Sequence, residues 1–80
     1  MSESAHKRLI TEMVILAKRL GKLDGKKASI TISEKELAAL TGLTRETVSR
    51  EIKALRNKNI LEFKKSTLTI FDTEQLGQLL

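Results

Sequence analysis

The sequence predicts a small α+β domain, mainly α, with a three-helix core, a β-hairpin after the third helix and a short strand before the second. Three observations carry this reading. Apolar residues recur at helical spacing in three separate segments, β-branched residues alternate in short runs beside them, and turn residues separate the segments. At 80 residues the chain has room for one such domain, taken as residues 1–80, with a thin core.

The first helix spans roughly residues 4–20. Leu9, Met13, Leu16, Leu20 and Leu23 recur at spacings of four and three, which makes one apolar stripe. Ile10, Val14 and Ala17 widen it, most of the charged residues lie off it, and Ile15 falls on neither face. Gly21 to Lys27 reads as a loop, with Gly21 as a helix stop and Asp24-Gly25 as a turn signal. Ser29 to Ile32 alternates polar and apolar with β-branched residues, as a short strand does.

Ser33 opens the second helix. Glu36 sits three residues later, so the serine hydroxyl can accept the Glu36 amide while the Glu36 carboxylate returns to the Ser33 amide. Leu37, Ala38 and Leu40 form the expected buried side. Thr41-Gly42-Leu43 is the turn, where Gly42 can take a positive φ at low cost. Thr44 caps the third helix, which runs to about Lys58 with Val48, Ile52 and Leu55 toward the core. Ile60 to Phe63 and Leu68 to Phe71 are two strands joined by Lys64-Lys65-Ser66-Thr67, a basic tip without the glycine that tight turns favour. Asp72 or Thr73 then caps a terminal helix carrying Leu76, Leu79 and Leu80. Two capped helices across a tight turn, residues 33–58, followed by a hairpin, residues 60–71, make a winged helix-turn-helix.

The formal net charge of +5 favours a polyanionic partner, because phosphate backbones bind basic proteins through counterion release. The absence of cysteine removes disulfide and thiolate-metal chemistry and fits a cytoplasmic protein. No apolar run approaches the ~20 residues that span a bilayer, and no apolar signal-peptide core is present. With Phe63 and Phe71 as the only aromatics, single-strand binding by base stacking is disfavoured.

At about 100° per residue, Arg45, Glu46, Ser49, Lys53 and Arg56 share one face of the third helix, with Arg50 at its edge. The first turns of such a helix go deepest into the major groove, so Arg45, Glu46, Ser49 and Arg50 are the base-reading candidates. Arginine can pair with guanine O6 and N7, and glutamate can accept from cytosine N4. A carboxylate beside phosphates is electrostatically costly, so Glu46 points to a specific donor or to an ion pair with a neighbouring arginine. Its bland reading is a favourable charge in the first helical turn. Ser33, Lys35, Thr44 and Thr47, at or near helix N-termini, are phosphate-contact candidates. Lys53 on the exposed face and Lys64 and Lys65 at the wing tip join them, against a plain reading as solvated basic surface.

The stretch Ile30 to Phe71 resembles the C-terminal DNA-binding domain of the Crp/Fnr family of bacterial transcription regulators. The resemblance is most specific in LTRETVSREIKAL, Leu43 to Leu55, with its Arg-Glu-Thr-Val-Ser-Arg core, and the flanking segments match more loosely. It implies base reading by Arg45, Glu46 and Arg50, joined by Ser49, and phosphate contacts from Ser33, Thr44 and Thr47. It also implies a two-fold operator with TGTGA-like half-sites, and RNA polymerase contact through the segment 21–27. Neither the family's cyclic-nucleotide-type barrel nor its long dimerisation helix is present in these 80 residues. No cofactor is therefore expected, neither cyclic nucleotide nor iron–sulfur cluster. The chain is expected to be a monomer or weak dimer alone and a dimer on DNA.

Two other function classes compete with this reading. Catalysis finds no paired carboxylates, nucleophile–base arrangement or phosphate loop, and the single histidine, His6, reads as solvated surface near the terminus. A winged helix can also be a protein-docking or dimerisation module without a DNA role. Such a version would lose the basic, hydrogen-bonding face that Arg45, Arg50, Lys53 and Arg56 keep.

Overall fold

Ser4 starts the chain's first helix, its hydroxyl accepting the Lys7 amide at 3.2 Å. In the computed structural model, which describes residues 4–80, that helix (α1) runs Ala5–Leu20 and buries Leu9, Ile10, Met13, Leu16 and Ala17. The apolar stripe stops there: Leu20 is 67% exposed and Leu23 64%. The reason is Gly21, where the chain leaves the helix in extended conformation. A Cβ at Gly21 would lie 2.6 Å from the Ala17 carbonyl oxygen, so only glycine turns off the helix this closely.

The segment expected as a loop, Gly21 to Lys27, contains a strand. β1 (Lys22–Asp24) pairs antiparallel with β2 (Lys27–Thr31) across Gly25-Lys26. All three β1 residues are exposed, so no alternation marked them, and the pairing comes from the free edge that β2 offers. The helix α2 (Glu34–Thr41) and the helix α3 (Arg45–Asn57) follow, then β3 (Leu61–Lys64), β4 (Thr67–Ile70) and the short α4 (Thr73–Gly77). The four strands form one antiparallel sheet in the order β1-β2-β4-β3. The wing is thus continuous with the strand that leads into α2, an extension of the expected isolated hairpin.

Ala28, Ile30, Leu61, Leu68 and Ile70 from the sheet join Leu9, Met13, Leu37, Val48, Ile52, Leu55 and Leu76 from the helices in one core. On α2 one expected core residue is misplaced. Leu40 is 53% exposed, and Thr41 is buried instead. Leu37, Ala38 and Thr41 cluster on one side of α2, and Leu40 lies about 100° from that side's centre. Thr41 can be inside because its hydroxyl is partnered, donating to the Leu37 carbonyl at 2.7 Å and accepting from the Leu43 amide at 3.3 Å.

Asp72 is the cap of α4, accepting the Glu74 and Gln75 amides at 3.0 and 3.2 Å. Its start is tied to the first hairpin by Thr73 N–H to the Lys26 carbonyl, 2.8 Å, and by Lys26 Nζ to Glu74 Oε2, 3.3 Å. The hydrogen bond and charge of Glu74 raise the Lys26 pKa above its ordinary value. This exposed contact is present at neutral pH and is lost only as pH rises through the raised value.

The wing turn forms without glycine. Lys64 pairs with Thr67, so Lys65 and Ser66 are the two central residues, with φ of 48° and 61°. Positive φ at both positions is what a type I′ hairpin requires. Two L-residues with side chains hold a conformation that glycine enters more easily. Ser66→Gly is therefore expected to raise stability by about 0.5–1 kcal/mol, a Tm gain of a few degrees in a thermal melt.

Candidate nucleic-acid interface

Four contacts set the direction of α3. Thr44 caps it, its hydroxyl accepting the Thr47 amide at 3.1 Å and donating to the Thr47 hydroxyl at 2.9 Å. Gly42 makes the preceding reversal with φ of 73° and donates its amide to the Ala38 carbonyl at 2.9 Å. Arg8, on α1, places its guanidinium on the Thr41 carbonyl, where the negative end of the α2 dipole lies. His6 Nδ1 meets Glu51 Oε2 at 3.1 Å, tying the first turn of α1 to the middle of α3. The expectation that His6 is merely solvated is thereby corrected: it is half-buried and holds a carboxylate of the third helix.

With Val48, Ile52 and Leu55 buried, the helical period leaves Arg45, Glu46, Ser49, Arg50, Lys53 and Arg56 exposed. The first four occupy the first two turns, and Lys53 lies further along the same helix. Among the described residues Arg45, Glu46, Arg50 and Lys53 form no ion pair. Of the three readings of Glu46, the intramolecular ion pair with an arginine is therefore not the one seen. Its carboxylate stands free in the first turn of α3, which leaves an external donor or the helix dipole as its partner.

The phosphate candidates fall into two groups. Thr44 and Thr47 lie at the N-terminus of α3. Thr44 uses its hydroxyl inside the cap, and Thr47, half-buried, accepts that hydroxyl and keeps its own O–H to give outward. Ser33 and Lys35 belong to the start of α2. There the capping box is complete: the Ser33 amide donates to Glu36 Oε1 at 3.2 Å and the Glu36 amide to Ser33 Oγ at 3.1 Å. The Ile32 amide donates to the Ser66 carbonyl at 2.9 Å, which anchors the wing tip beside that helix start. Lys35, Lys64 and Lys65 are all exposed around this junction.

An open groove of about 340 Å³ runs between the start of α2, the exposed side of α3 and β3. Ser49, Lys53 and Arg56 line one side, and Glu34 and Glu62 line the others. Arg56 Nε reaches Glu62 Oε1 at 3.0 Å. Among the described residues no cluster of three or more histidine, cysteine, aspartate or glutamate side chains could hold a metal, and no helix is long and apolar enough to cross a membrane.

The sequence matches the model of the Crp-like helix-turn-helix domain over residues 7–79. The chain belongs to that family. The assignment makes this domain a helix-turn-helix of the Crp type, the motif that carries DNA binding. Solved structures agree with the fold. Reduced CprK without ligand superposes with a TM-score of 0.82 at 28% identity, covering 100% of this chain and 39% of that one. Oxidised CprK in complex with o-chlorophenolacetic acid gives 0.81 at 29% identity over 95% of this chain and 33% of that one. TTHA1359, a transcriptional regulator of the CRP/FNR family from Thermus thermophilus, gives 0.86 at 23% identity over 96% of this chain and 40% of that one. The Crp-like domain thus spans about two fifths or less of the solved chains it matches. No curated protein sequence matches it.

Three contacts of the Crp-like domain had no signal in the sequence reading: Arg8 on Thr41, His6 on Glu51 and Arg56 on Glu62. The first two join residues 33 and 45 positions apart, and no local pattern reports such pairs.

Proposed function

We propose that this domain reads duplex DNA sequence by placing α3 in the major groove, with Arg45, Glu46, Ser49 and Arg50 toward base edges. The observation that carries the reading is the face of α3 opposite Val48, Ile52 and Leu55: a continuous exposed polar stripe on a helix fixed at both ends of its turn. Ser33, Lys35, Thr44, Thr47, Lys53, Lys64 and Lys65 hold the flanking backbone. Phosphate contacts position the helix and base contacts specify the site. The protein acts by binding, not catalysis, in the bacterial cytoplasm where its DNA lies.

Two copies occupy a two-fold operator with TGTGA-like half-sites about 34 Å apart, one helical turn. Without DNA the chain is mainly monomeric, and sedimentation showing a tight dimer in its absence would contradict this part. The segment 21–27 is the surface available to RNA polymerase, with Lys22 to Lys27 exposed throughout. A docking module with no DNA role is disfavoured by Arg45, Arg50 and Lys53 on the exposed stripe, which form no ion pair among the described residues.

Titration of a random-sequence duplex over a range of salt tests the DNA reading. Log affinity is expected to fall linearly with log salt, and Lys64→Ala or Lys65→Ala each to weaken binding to all sequences alike and to lower the slope by about 0.9. Absence of salt-sensitive duplex binding would overturn the proposal in favour of docking. A slope unchanged by both wing variants would remove the wing from the interface.

A further inference from the structure

We propose that Arg56 is a further phosphate anchor and that Glu62, on the wing strand β3, is the positioning residue that aims it. The inference rests on the DNA-binding reading above. Three observations lead to it. Arg56 shares the exposed groove of α3 with Ser49 and Lys53. Its Nε, and not the outer edge of its guanidinium, makes the 3.0 Å contact with Glu62 Oε1. The same Glu62 oxygen accepts the Phe63 backbone amide at 3.0 Å, so the carboxylate is itself held by the strand.

The chemistry follows from the shape of the guanidinium. It carries five N–H groups in a rigid planar fork. The Glu62 carboxylate lies beside Nε as the ion partner on that side of the fork, and the Nη groups remain for a planar, bidentate partner such as a phosphate. Arg56 lies about 16 Å along the axis from Arg45, at 1.5 Å per residue. For a helix that enters N-terminus first, this exceeds the major groove's depth of about 8.5 Å. Arg56 therefore stands clear of the base edges, on the outer side of the groove, where the sugar–phosphate backbone is the part of the duplex nearest to it. An arginine loose on the surface must be ordered when it binds, and one already held loses less freedom per hydrogen bond formed. Both side chains are part exposed, at 47% and 37%, so the pair contributes little to folding itself.

The sign of one substitution separates this role from plain electrostatics. Removing an acid from a DNA-binding surface raises affinity if charge alone matters. Glu62→Ala is instead expected to weaken duplex binding severalfold, on random and selected sequences alike. In an Arg56→Ala background, which itself lowers the salt slope by about 0.9, Glu62→Ala is expected to cause no further loss. Arg56→Lys keeps the charge but lacks the fork, so it too should bind severalfold more weakly. A thermal melt confirms that each variant is folded, and should Glu62→Ala unfold, Arg56→Lys carries the test. Tighter or unchanged binding by folded Glu62→Ala, equal losses from it in both backgrounds, or wild-type affinity in Arg56→Lys would overturn the assignment. Failure of the wild-type chain to bind duplex would instead strike the DNA-binding reading itself.

Discussion

Replacing Leu37 with alanine is expected to lower stability by about 2–5 kcal/mol, the range for emptying a fully buried leucine site. Leu37 has no exposure and sits on α2, which packs against both α1 and α3. A domain of this size has a total stability of about 4–12 kcal/mol, so the loss removes a large share of it. A thermal melt should show Tm falling by about 10–30 °C. The effect reaches function through position. The Leu37 carbonyl receives the Thr41 hydroxyl, and Thr41 in turn takes the Leu43 amide across the turn that aims α3. A Tm within about 5 °C of wild type would show that α2 is not part of the cooperative core.

Arg45→Ala and Arg50→Ala are expected to carry the largest effects on recognition. On the proposed reading each would remove a base contact worth about 1–3 kcal/mol, or roughly 5–150-fold in affinity for a selected site. Both side chains are exposed, so folding should be unaffected. The expected signature is loss of preference at one base position, with a smaller loss on random duplex. Equal weakening on selected and random duplex would make these residues phosphate contacts only.

Much of the fold could be read in the sequence because its signals are local. The Ser33–Glu36 box, the Thr44 cap, the Gly42 reversal and the Val48–Ile52–Leu55 spacing each depend on residues within one or two helical turns, and each appears in the structure. The family resemblance rested on the same stretch and agrees with the family to which the chain belongs. What could not be read depends on partners far along the chain or on competition at an element's end. β1 exists only because β2 presents an edge. Leu20 and Leu23 extend the apolar stripe by spacing, but Leu20 is the last residue of the helix and Leu23 lies beyond it in β1, and both are exposed. Leu40 lost its place to Thr41 because a partnered hydroxyl fitted the turn's geometry. The wing lacked a glycine signal, and its tip is nevertheless held in positive φ by strand pairing and by the Ser66 carbonyl's bond to Ile32. At the interface, the exposed face of α3 followed from period alone, whereas the Glu62 contact on Arg56 needed the sheet to place the wing strand beside the helix.

Glu46 most directly separates sequence reading from general attraction to DNA. Arginines serve on any basic surface, but a free carboxylate beside phosphates weakens binding unless a base donor meets it. The decisive measurement is therefore selection of bound sites from a random duplex library, run in parallel with the wild-type chain and with Glu46→Ala. The wild type is expected to enrich a two-fold motif with TGTGA-like half-sites, and Glu46→Ala to lose preference at one position in each half-site while still binding duplex. A flat wild-type selection, or an identical motif from both proteins, would contradict this expectation.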